Sequence, residues 1–474
     1  MKNSVHSVSS AASASGSGRL SSGALNRRLF LRAAGRTAAV SSLAGVSLPH
    51  VFAAEDNTVQ IALIGAGGRG TGAANDALSQ TSLPTKLVAM ADVLSHKLNG
   101  SYSGLSNEWK TTPGKVDVPE ERRFLGFDAY KQALDVLKPG DVAILTTPLA
   151  FRAPMFEYAI NKGLHVFMEK PVTADGPNSR RMLELAKKAD EKNLKCGVGL
   201  MVRHCRGRQE LHKRIMDGEI GEINFMRSYR MHGPVASCFS TRKPEEKNEV
   251  LYQIERFHSF LWASGGLFSD FYIHFVDECC WMKNAWPVRA HGLGGRHYRG
   301  DYIDQNFDSY GIEYTFADGS VFHFNGRTMI GAKDQSASYV HGTKGLGIVS
   351  TSGHTPGRCR TYNGWTIARD KQLWAYPQPE ANPYQLEWQD LIEAIKNDTK
   401  YNEVPRGVEA SVVTSMGRMA AHLGQDVTYD QMLNSTHDFA PGVDTLTEKG
   451  PAPVLPNPDG SYPVPEPGKK KAEY

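Results

Sequence analysis

The apolar residues between positions 59 and 200 fall into short runs that alternate with segments of helical periodicity. Residues 59–64 form a mostly apolar run, which is typical of a strand buried on both faces of a sheet. The predicted strands cover residues 59–64, 86–91, 122–127, 142–146, 165–168 and 195–200, and the predicted helices cover residues 71–78, 129–137 and 154–162. Alternation of strand and helix indicates a parallel sheet in an α/β fold.

The pattern changes after residue 220, where strand-like runs are separated by turn signals. These runs cover residues 224–230, 307–316 and 320–325, and Asp318-Gly319 separates the last two. Such spacing favours an antiparallel sheet. A structural helix with one apolar face is also predicted, formed by Trp388, Leu391, Ile392 and Ile395.

Length, composition and charge narrow the class of protein. The 474 residues suffice for two or three domains, and 40% hydrophobic residues without an apolar run of about 18 favour a globular chain with no stable membrane insertion. The net charge of +4 comes from residues 1–54, because the remainder carries 48 basic and 50 acidic side chains. This balance gives no electrostatic footprint for nucleic acid. The six cysteines form no C-x-x-C pair, so neither a disulfide framework nor a zinc site is indicated.

The first 54 residues resemble a twin-arginine export signal. The pair Arg27-Arg28 precedes a weakly apolar, Ser- and Gly-rich stretch that ends in Ala53-Ala54, where small residues suit a signal peptidase. We therefore expect a periplasmic protein that is exported after folding. A disordered basic tail is the alternative interpretation.

The predicted first strand runs directly into a glycine-rich turn, Gly65-Ala66-Gly67-Gly68-Arg69-Gly70, and then into a helix. This is the G-x-G-x-x-G pattern in the context that dinucleotide binding requires, since glycines let the backbone approach a pyrophosphate. Asp92 ends the second predicted strand and can accept hydrogen bonds from ribose hydroxyls. A carboxylate there repels the extra phosphate of NADP, so NAD is the expected cofactor, although His96 and Lys97 lie close in sequence.

Two further strand ends carry candidate residues. Thr146-Thr147-Pro148 ends one strand and Glu169-Lys170-Pro171 ends the next, and ligands bind at the carboxyl ends of strands in doubly wound sheets. The predicted cofactor-binding residues are Gly65, Gly67, Gly68, Arg69, Gly70, Asp92, Thr146, Thr147, Pro148, Glu169 and Lys170.

These motifs together resemble the glucose-fructose oxidoreductase, inositol dehydrogenase and rhizopine catabolism (Gfo/Idh/MocA) family. The resemblance rests on the glycine turn, Asp92, Thr147-Pro148, Glu169-Lys170-Pro171 and the segment 265–277, which contains D-x-x-x-H. It implies an N-terminal Rossmann domain, and a C-terminal α/β domain whose large, mainly antiparallel sheet often builds an oligomer interface. It also implies a sugar or cyclitol substrate and a homo-oligomer, either dimer or tetramer. Arg152 and Tyr272 depart from the family pattern, where a histidine and a glycine are usual.

Asp270 and His274 are four residues apart and share one face if residues 267–282 are helical. Oxidation of a carbinol by hydride transfer requires that the hydroxyl proton leave, so His274 is the predicted base, Asp270 the group that orients it, and Lys170 the group that stabilises the developing alkoxide. The alternatives are a buried structural pair, or a metal site that adds Asp277 or His258. We expect no metal, because hydride transfer needs none.

The remaining predictions concern substrate contacts and domain limits. Arg203, His204 and Tyr272 are candidate substrate contacts. We predict a leader over residues 1–54, a NAD-binding domain over residues 55–200, a substrate and oligomerisation domain over residues 201–435, and a proline-rich extended tail over residues 436–474.

The sequence thus predicts a NAD-dependent oxidoreductase that acts on a CH–OH group of a sugar, sugar derivative or cyclitol. Two alternatives stay open. One is a glycoside-cleaving enzyme that oxidises its substrate transiently with bound NAD, and the other is a non-catalytic carbohydrate-binding protein.

Overall fold

A computed structural model of the chain describes residues 57–473. The predicted twin-arginine leader, residues 1–54, lies outside the described residues. Among the helices of the described part, none is long and apolar enough to cross a membrane.

The first domain is built on a six-stranded parallel sheet in the order β3-β2-β1-β4-β5-β6. Its strands are β1 (Val59–Ile64), β2 (Thr85–Asp92), β3 (Arg123–Leu125), β4 (Val142–Leu145), β5 (His165–Met168) and β6 (Cys196–Val198). Its helices are α1 (Gly68–Leu78), α2 (Ser95–Glu108), α3 (Ala129–Asp135), α4 (Arg152–Asn161) and α5 (Gly176–Glu191). This strand order defines the Rossmann fold, whose ligand crevice opens between β1 and β4. The prediction of a parallel Rossmann sheet is confirmed.

The second domain contains a nine-stranded sheet in the order β14-β13-β12-β11-β7-β10-β9-β8-β15. Its strands are β7 (Ile223–His232), β8 (Arg289–Gly295), β9 (Ser309–Thr315), β10 (Val321–Thr328), β11 (Gln335–Gly342), β12 (Gly345–Ser350), β13 (Arg360–Asn363), β14 (Gln372–Ala375) and β15 (Val427–Thr428). β7 and β10 pair in parallel, and every other pair of neighbouring strands is antiparallel. The predicted mainly antiparallel sheet is confirmed.

The remaining helices are α6 (Arg206–Met216), α7 (Glu249–Glu255), α8 (Leu261–Ser264), α9 (Gly266–Lys283), α10 (Pro383–Lys396), α11 (Val404–Leu423) and α12 (Tyr429–Leu433). α9 is buried along nearly its whole length because it contacts α11 on one side and strands of the large sheet on the other. α10 returns to the first domain, where Trp388 stacks on Phe167 of β5 at 4.5 Å between ring centroids. This return places α10 beside the carboxyl edge of the Rossmann sheet.

Residues 446–473 contain neither helix nor strand and lie against the body of the same chain. Gln253 donates to the carbonyl of Val454 at 2.6 Å, and Gln305 donates to the carbonyl of Pro463 at 2.8 Å. Arg418 pairs with Glu473 at 2.8 Å inside the protein. The tail is therefore held at several points by side chains of the second domain.

Candidate active site

A cleft of about 920 Å³ lies between the carboxyl edge of the Rossmann sheet and the second domain. The glycine turn and the strand ends at Asp92, Thr146 and Lys170 form one side, and α9 and the segment 236–258 form the other. This position is the crevice where doubly wound sheets bind their ligands.

The glycines of the turn have distinct steric roles. Gly65 has a φ of +92°, and a Cβ there would come within 2.7 Å of the Thr147 amide nitrogen, so only glycine fits. A Cβ on Gly70 would collide with the Gly65 carbonyl oxygen. Gly67 and Gly68 have open space beside them and line the cleft, which exposes the first N–H groups of α1 to an anion.

Asp92 lines the cleft at the end of β2. Its carboxylate accepts from the Ala66 amide at 2.6 Å and from the Leu94 amide at 2.8 Å. Burial raises the pKa of Asp92, and these backbone donors partly oppose the rise. The carboxylate is thus held in place at the position where a ribose would lie. His96 pairs with Glu255 of α7 at 3.2 Å, and Lys97 also lines the cleft.

Arg69 and Glu169 form an ion pair at 2.9 Å within the cleft wall. Arg69 also pairs with Asp76 at 3.2 Å and lies over the ring of Tyr384, 4.7 Å from its centroid. These contacts tie α1 to the end of β5 and to α10. Both predicted cofactor-binding residues therefore border the site while engaging each other.

Thr146 and Arg152 support the end of β4. The Thr146 hydroxyl donates to the Gly65 carbonyl at 2.6 Å, which joins the glycine turn to this strand end. Arg152, buried beneath the cleft, donates to the carbonyls of Leu145 and Thr147. Burial lowers the pKa of Arg152 to about 10, although Glu169 and Asp270 oppose the change. The departure from the family pattern at this position thus has a structural role here.

Lys170 and Asp270 meet in the cleft, although 100 residues separate them in sequence. The Lys170 ammonium donates to the Asp270 carbonyl oxygen at 2.7 Å and lies 3.5 Å from the carboxylate oxygen Oδ2. The same Oδ2 is 3.3 Å from Nε2 of His258. Burial opposes ionisation of Asp270, but Lys170 and then His258 overcome it and lower the pKa of Asp270 to about 2. Asp270 is therefore ionised and holds the lysine.

His274 lies one helical turn beyond Asp270 and lines the same cleft, as the predicted helix implied. Among residues 57–473 its Nδ1 atom has no hydrogen-bond partner, and its ring packs against His354 at 4.4 Å between centroids. Burial, followed by His354 and Lys170, lowers the pKa of His274 well below its usual value. The imidazole is neutral at physiological pH. The expectation that Asp270 orients His274 was wrong, because the carboxylate is engaged by Lys170 and His258.

Two functional histidines were missed by the sequence interpretation. His258 entered it only as an alternative metal ligand, yet its Nδ1 bonds to the Ser237 hydroxyl at 2.8 Å and its Nε2 reaches Asp270. His354 comes from the turn after β12, and burial lowers its pKa to about 3, with Arg230 and Lys170 contributing. Neither residue belongs to a local motif, so no sequence spacing identifies it. In the described part of the chain, no group of three or more His, Cys, Asp or Glu side chains is arranged to hold a metal ion.

The three candidate substrate residues lie outside the cleft, because each is engaged elsewhere. Arg203 pairs with Asp277 at 2.7 Å. His204 contacts Asp390 at 2.7 Å. Burial lowers the pKa of His204, but Glu403 and Asp390 outweigh burial, so the pKa is raised. Tyr272 is 1% exposed and packs under the large sheet against Gly326. All three stabilise the packing behind the site.

The first domain is similar to a known family of oxidoreductases. Residues 59–200 match the family model GFO_IDH_MocA, described as an oxidoreductase family with a NAD-binding Rossmann fold. The inositol 2-dehydrogenase of Corynebacterium glutamicum is 30% identical over 100 residues, which are 21% of this chain and 29% of that enzyme. The scyllo-inositol 2-dehydrogenase (NAD(+)) of Bacillus subtilis is 28% identical over 186 residues, 38% of this chain and 47% of that enzyme. Less than half of either relative is therefore matched.

Among solved structures, the scyllo-inositol dehydrogenase of Lactobacillus casei with bound NAD(H) and scyllo-inositol has a TM-score of 0.56 at 18% identity. The match covers 78% of this chain and 99% of that chain, which shows that the fold is shared. The family match thus covers the first domain, and the solved structure shows that the fold is shared over most of the chain.

Proposed function

We propose that the chain is a NAD-dependent dehydrogenase that transfers hydride between nicotinamide and a CH–OH group of a sugar or cyclitol. The observation that carries the proposal is that the Lys170 ammonium and the His274 imidazole line one cleft with an open glycine turn. The names of the relatives support the substrate class, since they act on inositols.

The residues present fit a dinucleotide. Gly67 and Gly68 leave room for a pyrophosphate at the start of α1, and Asp92 stands where the adenosine ribose would be held. When bound, the nicotinamide supplies the hydride acceptor for alcohol oxidation.

Side chains from both sides of the cleft supply the proton chemistry. The Lys170 ammonium can donate to the substrate oxygen and stabilise negative charge that develops on it. Neutral His274 can accept the hydroxyl proton and later release it to solvent. Asp270 keeps Lys170 aimed into the cleft through the contact at 2.7 Å.

The first experiment identifies cofactor and substrate together. The purified protein is denatured to release any nucleotide, and the intact protein is screened with inositols, monosaccharides and glycosides for reduced-nicotinamide absorbance. Net reduction with an alcohol is the expected result. Release of an aglycone without net reduction would point to transient oxidation by bound cofactor, and ligand binding without either would contradict an enzyme.

We also propose NAD rather than NADP, on the basis of Asp92. The substitution Asp92→Ser removes the charge that repels a 2′-phosphate, so we expect the preference for NAD to fall on the order of 10-fold. The ratio of kcat/KM with the two cofactors measures this effect. An unchanged ratio would indicate that Asp92 does not determine the preference between NAD and NADP. The basic residues of the same cleft, Lys97, Arg242 and Lys247, would then be the candidates.

Export by the twin-arginine pathway and periplasmic localisation remain proposals that rest on Arg27-Arg28 and the weakly apolar stretch after it. A fusion of residues 1–54 to a reporter should reach the periplasm, and replacing both arginines by lysines should retain the reporter inside. The same retention in a strain without the twin-arginine translocase is the matched control.

A homo-oligomer is proposed through the large sheet. Leu293 is 72% exposed and Trp365 is 56% exposed, both at or beside strands of this sheet. Large apolar side chains on an open surface are typical of an association site. Light scattering after size exclusion determines the mass, and Leu293→Lys should lower the association constant if this surface is used.

A further inference from the structure

The side chain of Glu473 enters the protein interior from the extended tail. Its carboxylate makes two parallel hydrogen bonds with the guanidinium of Arg418 on α11, both at 2.8 Å, and accepts from His422 at 2.7 Å. Arg418 is fully buried, and Glu473 is 4% exposed. A bidentate pair of this kind is strong, and a buried guanidinium without its partner is strongly destabilising.

Arg418 contacts the two segments that carry Lys170 and Asp270. Its Nη1 donates to the hydroxyl of Ser269 at 2.7 Å, one residue before Asp270. Its Nη2 donates to the carbonyl of Ala174 at 2.8 Å, four residues after Lys170. The same guanidinium therefore holds the side chain next to Asp270 and the backbone that follows Lys170, on both sides of the contact between these two residues.

The charge of Glu473 is secured by its surroundings. Burial opposes its ionisation, but Arg418 and the bond from His422 overcome this and lower the pKa of Glu473 to about 2. Nε2 of His422 in turn meets the hydroxyl of Tyr310 at 2.9 Å. Phe439, also from the tail region, lies under Arg418 at 4.9 Å. The tail thus supplies the counterion of the guanidinium and also covers it.

We propose that Glu473 is a positioning residue for the Lys170–Asp270 pair and acts through Arg418. The inference rests on the proposed dehydrogenase function. Without the carboxylate, Arg418 shifts toward other acceptors, the start of α9 around Ser269 relaxes, and the Lys170 ammonium loses its fixed position in the cleft.

The test compares Glu473→Gln with Glu466→Gln in the full chain. Glu466 lies in the same tail, is 40% exposed at its side chain and pairs only with Lys469 and Lys470 among the described residues, so it is the matched control. We expect kcat of Glu473→Gln to fall on the order of 10-fold while KM for NAD changes little, because the reacting groups are misplaced and the glycine turn is not. Glu466→Gln should match the wild type.

A second readout does not depend on turnover. The rate at which acetic anhydride labels Lys170, followed by mass spectrometry of the isolated protein, should rise in Glu473→Gln and stay constant in Glu466→Gln. Ser269→Ala removes one Arg418 contact and leaves the ion pair intact, and it should raise the labelling rate by a smaller factor. This variant keeps the proposal testable if Glu473→Gln does not fold.

The proposal would be overturned if both Glu473→Gln and Ser269→Ala kept the wild-type labelling rate and the wild-type kcat. This holds even if their melting temperatures fell, because a purely structural role lowers stability alone. If the wild-type protein reduces no nicotinamide with any alcohol, the proposed function fails, and the labelling of Lys170 still decides the role of Glu473.

Discussion

The two sides of the cleft differ in the kind of group that forms them. On the Rossmann side, consecutive backbone groups of the turn from Gly65 to Gly70 form the surface, with Asp92 fixed by two backbone amides. On the opposite side, His258 and Asp270 come from distant segments of the second domain, and they meet Lys170 at the end of β5 only through tertiary packing. The first side is thus specified by steric space for the backbone, and the second by charged side chains. Changes to the first should affect binding, whereas changes to the second should affect the rate.

The largest expected effect comes from removing the ammonium group of Lys170, which meets Asp270 across the cleft. Lys170→Met keeps most of the side-chain volume, and kcat should fall on the order of 10²-fold to 10⁴-fold because negative charge on the substrate oxygen loses its partner. The kcat of His274→Asn should fall by a factor in the same range. NAD affinity, measured by calorimetry, should stay near the wild-type value. Lys162→Met changes a half-buried lysine that pairs with Asp135 away from the cleft and is the control. Unchanged turnover in both variants would remove the catalytic assignment.

The second effect acts on the Rossmann side. The Cβ introduced by Gly70→Ala would collide with the Gly65 carbonyl oxygen, so α1 must move away from β1 and NAD affinity should fall on the order of 10-fold to 100-fold. Gly100→Ala, on α2, meets no atom within 4 Å and should bind NAD normally. Equal affinities in the two variants would show that the turn does not carry the cofactor.

A smaller effect is expected from changing His258, which the sequence interpretation did not identify as a partner of Asp270. His258→Asn cannot place a donor at the Nε2 position, so Asp270 loses one partner and kcat should fall about 10-fold, the effect of one hydrogen bond to a charged group. His258→Gln can place its amide nitrogen near that position and should retain more activity. If both variants behave alike, the contact between His258 and Asp270 has no role in the rate.

The smallest expected effect is on stability in mild acid. The pKa of His354 is lowered to about 3 in the folded protein, so below about pH 6.5 the unfolded chain binds a proton that the folded chain does not. Stability is therefore lost as the pH falls, by about 1.4 kcal/mol for this histidine at one unit below its unfolded-state pKa. Thermal unfolding of His354→Asn between pH 7.5 and 5.5 should show a weaker pH dependence. His291→Asn, at an exposed position on β8, is the surface control.

The same contrast explains how much could be predicted from the sequence. The glycine turn, Asp92 and the strand end at Lys170 are local patterns, because each combines a strand with the residues that directly follow it. The spacing of Asp270 and His274 also predicted that both would face one cleft. Their partners were not predictable, since His258 and His354 reach the site through a loop and a turn whose positions depend on the whole second domain. Strands β8 and β11–β14 likewise have no strong alternation that marks them.

The pairing of Arg418 with Glu473 has a consequence for biosynthesis. The two residues are 55 positions apart, so a ribosome-bound chain that has already produced α11 still lacks the counterion of a fully buried guanidinium. The nascent second domain therefore cannot reach its final packing until translation has passed the tail.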